Sequence, residues 1–245
     1  MTTDERRRSA MKPDNRPQVE KVAASLRAEI MAGLLPARHQ LTSIPRLAVE
    51  FGVSTATIQS AFKILKEEGL LDSRAGAGVY VREGNPFAVR AAAYFIPTDR
   101  GVTYKILDVS EGPAPADIAV ALGEERAVLR HRLMLRAETP VELSRSYYPA
   151  SWAAGTALAG RGKIRGGAPA VLAELGYPER EWSDRISCRP PTAEEAETLE
   201  IPQGVPILRQ FRTVYSDSRR PVEVSVLIKP GHLYELEYQQ VVGPA

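Results

Sequence analysis

Ser54, Thr55, Thr57, Gln59, Ser60 and Lys63 stand within ten residues of one another, and no acid interrupts them. Hydroxyl, amide and ammonium groups of this kind donate to phosphate oxygens and to base edges, which is the chemistry of duplex recognition. That chemistry requires one element to hold them on one side. Ile58, Ala61, Phe62 and Leu65 recur at helical spacing and form an apolar stripe, which leaves Thr55, Gln59, Ser60 and Lys63 facing outward. Ser54 suits the N-cap, so its hydroxyl and the helix N-terminus can both approach a phosphate.

The flanking residues complete the frame. A shorter helix is predicted from Ser43, with Ile44, Leu47 and Phe51 inward and Arg46 toward a phosphate backbone, and Gly52 permits the tight turn between the two helices. Beyond Gly69, Leu70-Leu71-Asp72 and Val79-Tyr80-Val81 read as two short strands joined by a loop containing Arg74, Gly76 and Gly78. A helix pair followed by a glycine-bearing hairpin is a winged helix-turn-helix. The competing description, a helical hairpin packed in a core, does not account for the glycine loop and closing strand in that order. The Gly76-x-Gly78 pair also lacks the strand-before, helix-after setting of a nucleotide loop. The expected DNA contacts are Ser43, Arg46, Ser54, Thr55, Thr57, Gln59, Ser60, Lys63, Arg74, Gly76 and Gly78.

A second set of polar residues lies in the remainder of the chain, where alternation replaces helical periodicity. Val222, Val224, Val226 and Ile228 are expected to face a core, with Glu223, Ser225 and Lys229 opposite. Val141 and Leu143 point inward, with Glu142, Ser144, Ser146 and Tyr148 on the other side. The partner strand groups Arg130, Arg132 and Met134, and residues 206–215 group Ile207, Arg209, Phe211, Thr213 and Tyr215. A sheet face bearing Arg, Glu, Ser and Tyr is either solvated or the wall of a polar pocket for a small anion or hydroxylated molecule.

A weak internal repeat organises these strands. Ala119 and Leu122 match Ala196 and Leu199 at an offset of 77, Leu129-Arg130 match Leu208-Arg209 at 79, and Pro140-Val141-Glu142 with Ser144 match Pro221-Val222-Glu223 with Ser225 at 81. Each half reads helix, strand, turn, strand. Two such units predict one antiparallel sheet with helices on one face and approximate twofold internal symmetry.

No catalytic constellation is evident. His39, His131 and His232 have no metal-ligand spacing, and Glu194, Glu195 and Glu197 fit the acid preference of a helix start after Thr192. Cys188 is the single cysteine, which excludes a disulfide framework and a thiolate metal site. No cofactor is expected. The chain has no apolar run of about 18 residues, so no membrane association is expected and the location should be cytoplasmic. Its 245 residues suffice for two domains. Residues 1–82 hold 13 Lys plus Arg against 9 Asp plus Glu, while the remainder holds 19 against 21. The basic part is therefore the DNA-binding candidate. The expected division is a disordered tail at 1–15 with Arg6-Arg7-Arg8, a winged helix-turn-helix at 16–82, a linker at 83–93 and a ligand-binding domain at 94–245.

Ile30-Met31-Ala32-Gly33-Leu34, Leu41, Leu47-Ala48, Phe51-Gly52-Val53-Ser54, Thr57-Ile58, Ala61, Leu65, Glu68-Gly69-Leu70 and Gly76 to Val81 resemble the DNA-binding domain of GntR-type bacterial transcription regulators. Pro140-Val141, Tyr148-Pro149, Arg219 to Glu223 and Tyr234 resemble the UTRA effector-binding domain of the HutC subgroup. The resemblance implies an α+β protein: a winged helix-turn-helix followed by an antiparallel-sheet domain similar to chorismate lyase. It further implies a homodimer, usually a repressor, bound to a pseudo-palindromic double-stranded operator and released by a small polar or anionic effector. The pocket residues so implied are Arg130, Arg132, Ser144, Ser146, Tyr148, Arg209, Glu223, Ser225 and Tyr234.

The departures from the family pattern bear on specificity. The family commonly has Glu-Arg at Ile44-Pro45, Arg at Thr55 and Arg at Gln59, so the operator is expected to depend less on guanine there. Sugar-phosphate binders have a second Arg at Met134 and a Glu at Ser144, so a sugar phosphate fits this chain poorly. Two alternatives remain open from sequence: a constitutive DNA-binding dimer, and an enzymatic second domain, for which no base and nucleophile pair is present.

Overall fold

In a computed structural model, residues 14–74, 78–82 and 102–237 are described in full and residues 87–90 by their backbone. Residues 1–13 of the expected tail, linker positions 83–86 and 91–93, residues 94–101 and 238–245, and the candidate contact Gly76 lie outside the described residues. The chain divides into two compact units, Met1–Gly84 and Asn85–Ala245.

The first unit contains α1 (Gln18–Met31), α2 (Ile44–Phe51), α3 (Thr55–Glu67) and the antiparallel hairpin β1 (Leu71–Arg74) and β2 (Gly78–Val81). Its core is one cluster in which Val22, Ala23 and Leu26 of α1 meet Leu47 and Ala48 of α2 and Ile58, Ala61, Phe62 and Leu65 of α3. Burying Ile58 and Leu65 stabilises the unit by roughly 2–3 kcal/mol each. Local signals delimit the helices. Gly52 ends α2 in the left-handed conformation at φ 64°, and the Ser54 hydroxyl accepts from the Thr57 amide at 3.1 Å to begin α3. Residues 38–41 were not anticipated as part of the wing. Arg38 N donates to Val81 O, Val81 N to His39 O and Leu41 N to Val79 O, so residues 39–41 run beside β2 after a turn at Arg38.

The second unit is built on a six-stranded antiparallel sheet. Its strands are β4 (Val102–Pro113), β5 (Arg126–Arg136), β6 (Thr139–Pro149), β7 (Glu181–Arg189), β8 (Ile207–Tyr215) and β9 (Pro221–Pro230), in the order β4-β5-β6-β9-β8-β7. That order is the expected internal symmetry in space: three strands of each half run outward from the β6–β9 contact. A short parallel pair joins β3 (Phe87–Arg90) to β10 (Tyr234–Glu237).

Three details differ from the sequence expectation. First, helices cover both faces. The repeat helices α4 (Ala116–Leu122) and α7 (Ala193–Thr198) lie on the face of Tyr147, Phe211, Leu143 and Ile228. The segment after β6, with α5 (Ala150–Ala153), a 3-10 turn at Ala157–Ala159 and α6 (Gly167–Glu174), packs on Val128, Tyr148 and Val214 of the other. Second, Val222 packs in that latter cluster while Val224 packs with Ile118 and Phe211, because the β8–β9 register slips between Val214 and Tyr215. Third, Arg132 pairs with Ser144 and Arg212 with Ser225, so β5 maps onto β8 at an offset of 80, not 79. A one-residue slip exchanges faces.

Candidate nucleic-acid interface and effector site

In the first unit, Ser43, Arg46, Ser54, Thr55, Gln59, Ser60, Lys63, Arg74 and Gly78 are exposed and Thr57 is half-buried. α3 therefore presents hydroxyl, amide and ammonium groups outward, and the nearest acid on that side, Glu67, sits 3.8 Å from Lys63 at the far end. The Ser54 and Thr57 hydroxyls lie 2.9 Å apart, so the helix start is already ordered. In the wing, the Arg74 guanidinium lies 4.5 Å over the Tyr80 ring. Gly78 has φ 108°, a backbone conformation that residues with a Cβ rarely adopt, so glycine suits that position. Arg27 of α1 donates two bonds to buried Glu68 at 2.7 and 2.5 Å, tying α1 to the end of α3.

In the second unit, one sheet face carries polar groups deep into the protein. Arg132 donates to the Ser144 and Ser146 hydroxyls at 3.1 and 2.9 Å. The Ser146 hydroxyl lies 2.7 Å from that of Ser225, which donates to Glu223 at 2.5 Å. The result is a hydrogen-bonded chain across β5, β6 and β9. Burial, then Glu223, pushes the Tyr148 phenol well above its ordinary range. Burial, followed by the Glu223 charge, raises the Glu179 carboxyl to about 7, with Arg212 opposing.

The sequence-predicted residues do not all share one role. Arg132, Ser144, Ser146, Tyr148, Glu223 and Ser225 are brought together. Arg130 is on the same face, but its guanidinium grips backbone: it donates to the carbonyls of Ala157 at 3.3 Å, Leu158 at 2.9 Å, Gly160 at 2.5 Å and Gly162 at 3.2 Å. It clasps a turn while standing on the polar face. Tyr234 lies at the opposite end of the face, its ring 5.0 Å from the Lys229 ammonium. Arg209 is on the reverse face, bound to Asp117 at 3.0 Å and lining a separate cleft of about 210 Å³ with Arg145 and Tyr147. Its sequence match to Arg130 at an offset of 79 does not hold in space.

Sequence reasoning missed Arg212, fully buried and bound to Asp184 of β7 through Nε at 2.7 Å and Nη2 at 2.6 Å. An offset of 80 would have found it opposite Arg132. Glu142 and Lys229 were assigned to this face by alternation, but not as the buried ion pair they form. Burial holds the Lys229 ammonium below its ordinary range against the pull of Glu142. Among the described residues no group of three His, Cys, Asp or Glu could hold a metal ion, and no helix is long and apolar enough to cross a membrane.

Comparison with known proteins agrees with both halves. The family model for bacterial regulatory proteins of the gntR family matches residues 18–81, and that for the UTRA domain matches residues 98–235. The chain is 28% identical over 230 residues to the histidine utilization repressor of Pseudomonas putida, covering 90% of this chain and 91% of that protein. It is 26% identical over 221 residues to the HTH-type transcriptional regulator Rv0792c of Mycobacterium tuberculosis, covering 86% and 81%. A crystal structure of a GntR-family transcriptional regulator superposes with a TM-score of 0.57 at 26% identity, covering 93% of this chain and 99% of that one. With its exposed recognition helix and wing ahead of a twofold-repeated sheet, the chain belongs to the GntR family of bacterial transcription regulators, in the HutC subgroup that carries a UTRA effector-binding domain, and is not an enzyme.

Proposed function

We propose that this protein is a cytoplasmic, homodimeric repressor that leaves a pseudo-palindromic operator when a small polar or anionic effector fills the polar sheet face. In this reading, Thr55, Thr57, Gln59 and Ser60 of α3 meet base edges, while Ser43, Arg46, Ser54, Lys63, Arg74 and the Gly76–Gly78 wing meet phosphates. Residues 16–82 act as the DNA head and residues 94–245 as the effector and dimerisation domain. The repressor sense follows the Pseudomonas relative, a histidine utilization repressor. Two half-sites per dimer multiply a modest charge-driven affinity.

The observation that carries the effector half is the buried chain Arg132–Ser146–Ser225–Glu223. Polar groups on a buried face cost desolvation that apolar side chains would not. Their presence at the centre of the sheet supports a binding role. With Arg130 engaged by carbonyls, Met134 at the second arginine position and Ser144 in place of glutamate, the site lacks a phosphate fork. A small carboxylate or a hydroxylated molecule suits it better.

The test is a fluorescence-anisotropy titration of the full chain against the intergenic DNA upstream of its own coding region, at two salt concentrations. The expected result is nanomolar binding to one fragment, at least a thousandfold tighter than to random DNA, as for specific regulators. Equal and strongly salt-dependent binding to every fragment would refute an operator there. A thermal-shift screen of small carboxylates and polyols then identifies ligands that both stabilise the protein and release the fragment.

A further inference from the structure

On the face of the sheet opposite the polar one, where α4 and α7 meet the strands, three arginines line the cleft of about 210 Å³: Arg145, Arg189 and Arg209 stand against two carboxylates, Asp117 and Glu195. The three guanidiniums differ in what they hold. Arg189 spends its fork on Glu195, at 2.7 Å through each Nη. Arg209 reaches Asp117 at 3.0 Å through Nη2 alone, so its Nε and Nη1 donate to no described residue. The Arg145 side chain is only 26% exposed, yet it donates no hydrogen bond to any described residue; Glu194 stands 3.6 Å away on a side chain 71% exposed. A guanidinium so covered has given up much of its water without gaining the acceptors that ordinarily replace it. The Tyr147 hydroxyl in the same cleft also donates to no described residue.

The strand register sets the spacing of these donors. Arg145 on β6 is opposite Val226 on β9, and Arg209 on β8 is opposite Ile228 on β9, so the two arginines flank an apolar floor. Two strand spacings across and two residues along put their Cα atoms on the order of 12 Å apart. We propose that this cleft is a second ligand site, separate from the polar face, that takes a small dicarboxylate. One carboxylate meets the Arg145 guanidinium and the Tyr147 hydroxyl, the other meets the unused edge of Arg209, and the carbon chain lies on Val226 and Ile228. The volume, the share of roughly seven waters, suits a dicarboxylate of about four to six carbons. A compact phosphate would leave the apolar floor uncovered, and a cation would meet three guanidiniums. A neighbouring hollow shares Arg209 and adds Arg185, which lies 4.3 Å over the Phe211 ring and has no acid partner among the described residues. The field at the mouth of the cleft therefore favours an anion.

The experiment titrates the full chain with glutarate by calorimetry, at an ionic strength held constant with chloride. Glutarate should bind, and pentanoate, of the same length with one carboxylate, should bind at least about tenfold more weakly. Arg145→Met keeps the aliphatic stem and breaks no hydrogen bond, so it should melt close to wild type while losing at least about tenfold in glutarate affinity. Arg132→Met, on the polar face, should bind glutarate as wild type does. No heat of binding at millimolar glutarate overturns the proposal, and so does a pentanoate affinity equal to that of glutarate. Arg145→Met binding glutarate as tightly as wild type overturns it as well. An affinity that falls at least as far in Arg132→Met as in Arg145→Met would place glutarate on the polar face, which refutes the second site and leaves the proposed effector site standing.

Discussion

Arg130 and Arg132 project from one strand onto one face, and replacing each by methionine separates the holding of a loop from the holding of a ligand. Arg130→Met removes the donor to four carbonyls of residues 157–162, two of them, Leu158 and Gly160, at 2.9 and 2.5 Å. Hydrogen bonds from a charged donor contribute about 1.5–3 kcal/mol each, so these two set a loss of roughly 3–6 kcal/mol. Relief of the buried guanidinium's desolvation and packing of the methionine stem return part of it, leaving about 2–4 kcal/mol. At roughly 2–4 °C per kcal/mol for a unit of this size, the midpoint falls by about 5–15 °C.

Arg132→Met removes donors to two serine hydroxyls, and Ser146 keeps its bond to Ser225, so one uncompensated bond from a charged donor sets the cost at about 1.5–3 kcal/mol before relief of desolvation. Its consequence is loss of effector response. Both tryptophans, Trp152 and Trp182, lie in the second unit, so tryptophan fluorescence during heating follows that unit by itself. The reasoning is refuted if Arg130→Met melts within 2 °C of wild type while losing effector release, or if Arg132→Met melts as low as Arg130→Met.

Three further outcomes follow from the same contacts. Glu68→Ala strands Arg27 beside α3 and should destabilise the DNA-binding unit by about 2–3 kcal/mol, seen as an earlier far-UV transition and weaker operator binding. Lys229→Met removes the ammonium paired with the buried Glu142 carboxylate and should cost about 3–5 kcal/mol, whereas Lys229→Met with Glu142→Leu should recover most of it in denaturant titration. Glu179, with its folded pKa raised from 4.5 to about 7, binds a proton more tightly folded than unfolded. Its contribution is full below pH 4.5 and fades as pH rises through 7, so the fluorescence midpoint should fall from pH 5 to 8 and Glu179→Gln should flatten that decline.

The DNA-binding unit was legible because its determinants are local. The stripe Ile58, Ala61, Phe62, Leu65 needs only the helical period, and Gly52 and Ser54 mark the turn within three residues. In the sheet unit, alternation sorted Arg132, Ser144, Ser146 and Glu223 onto one face, since each strand keeps its own period. What alternation cannot supply is register between strands far apart in sequence, and one residue of error placed Arg209 where Arg212 belongs. Nor does any local pattern show that Arg130 meets carbonyls about thirty residues later, because that contact depends on how the segment after β6 folds back. Val222 was misplaced for a similar reason: a register slip follows from the turn at residues 216–220, not from the run of valines.

The corrected offset also shows where the two halves of the repeated sheet have diverged, which bears on the effector site proposed above. Arg132 and Arg212, Ser144 and Ser225, Glu142 and Glu223 occupy equivalent places in the two halves. Their partners have diverged. Arg212 is locked to Asp184 and Glu142 to Lys229, both as buried ion pairs, whereas Arg132 and Glu223 are linked through serine hydroxyls. Breaking a buried ion pair costs about 3–5 kcal/mol, whereas a hydroxyl bonded to a charged group contributes about 1.5–3 kcal/mol. A ligand that brings its own donors and acceptors can exchange with the hydroxyl links at little cost and cannot break the ion pairs. The ion pairs thus hold the strands in place, and on the function proposed above the serine chain is the part of this face that an effector would remake.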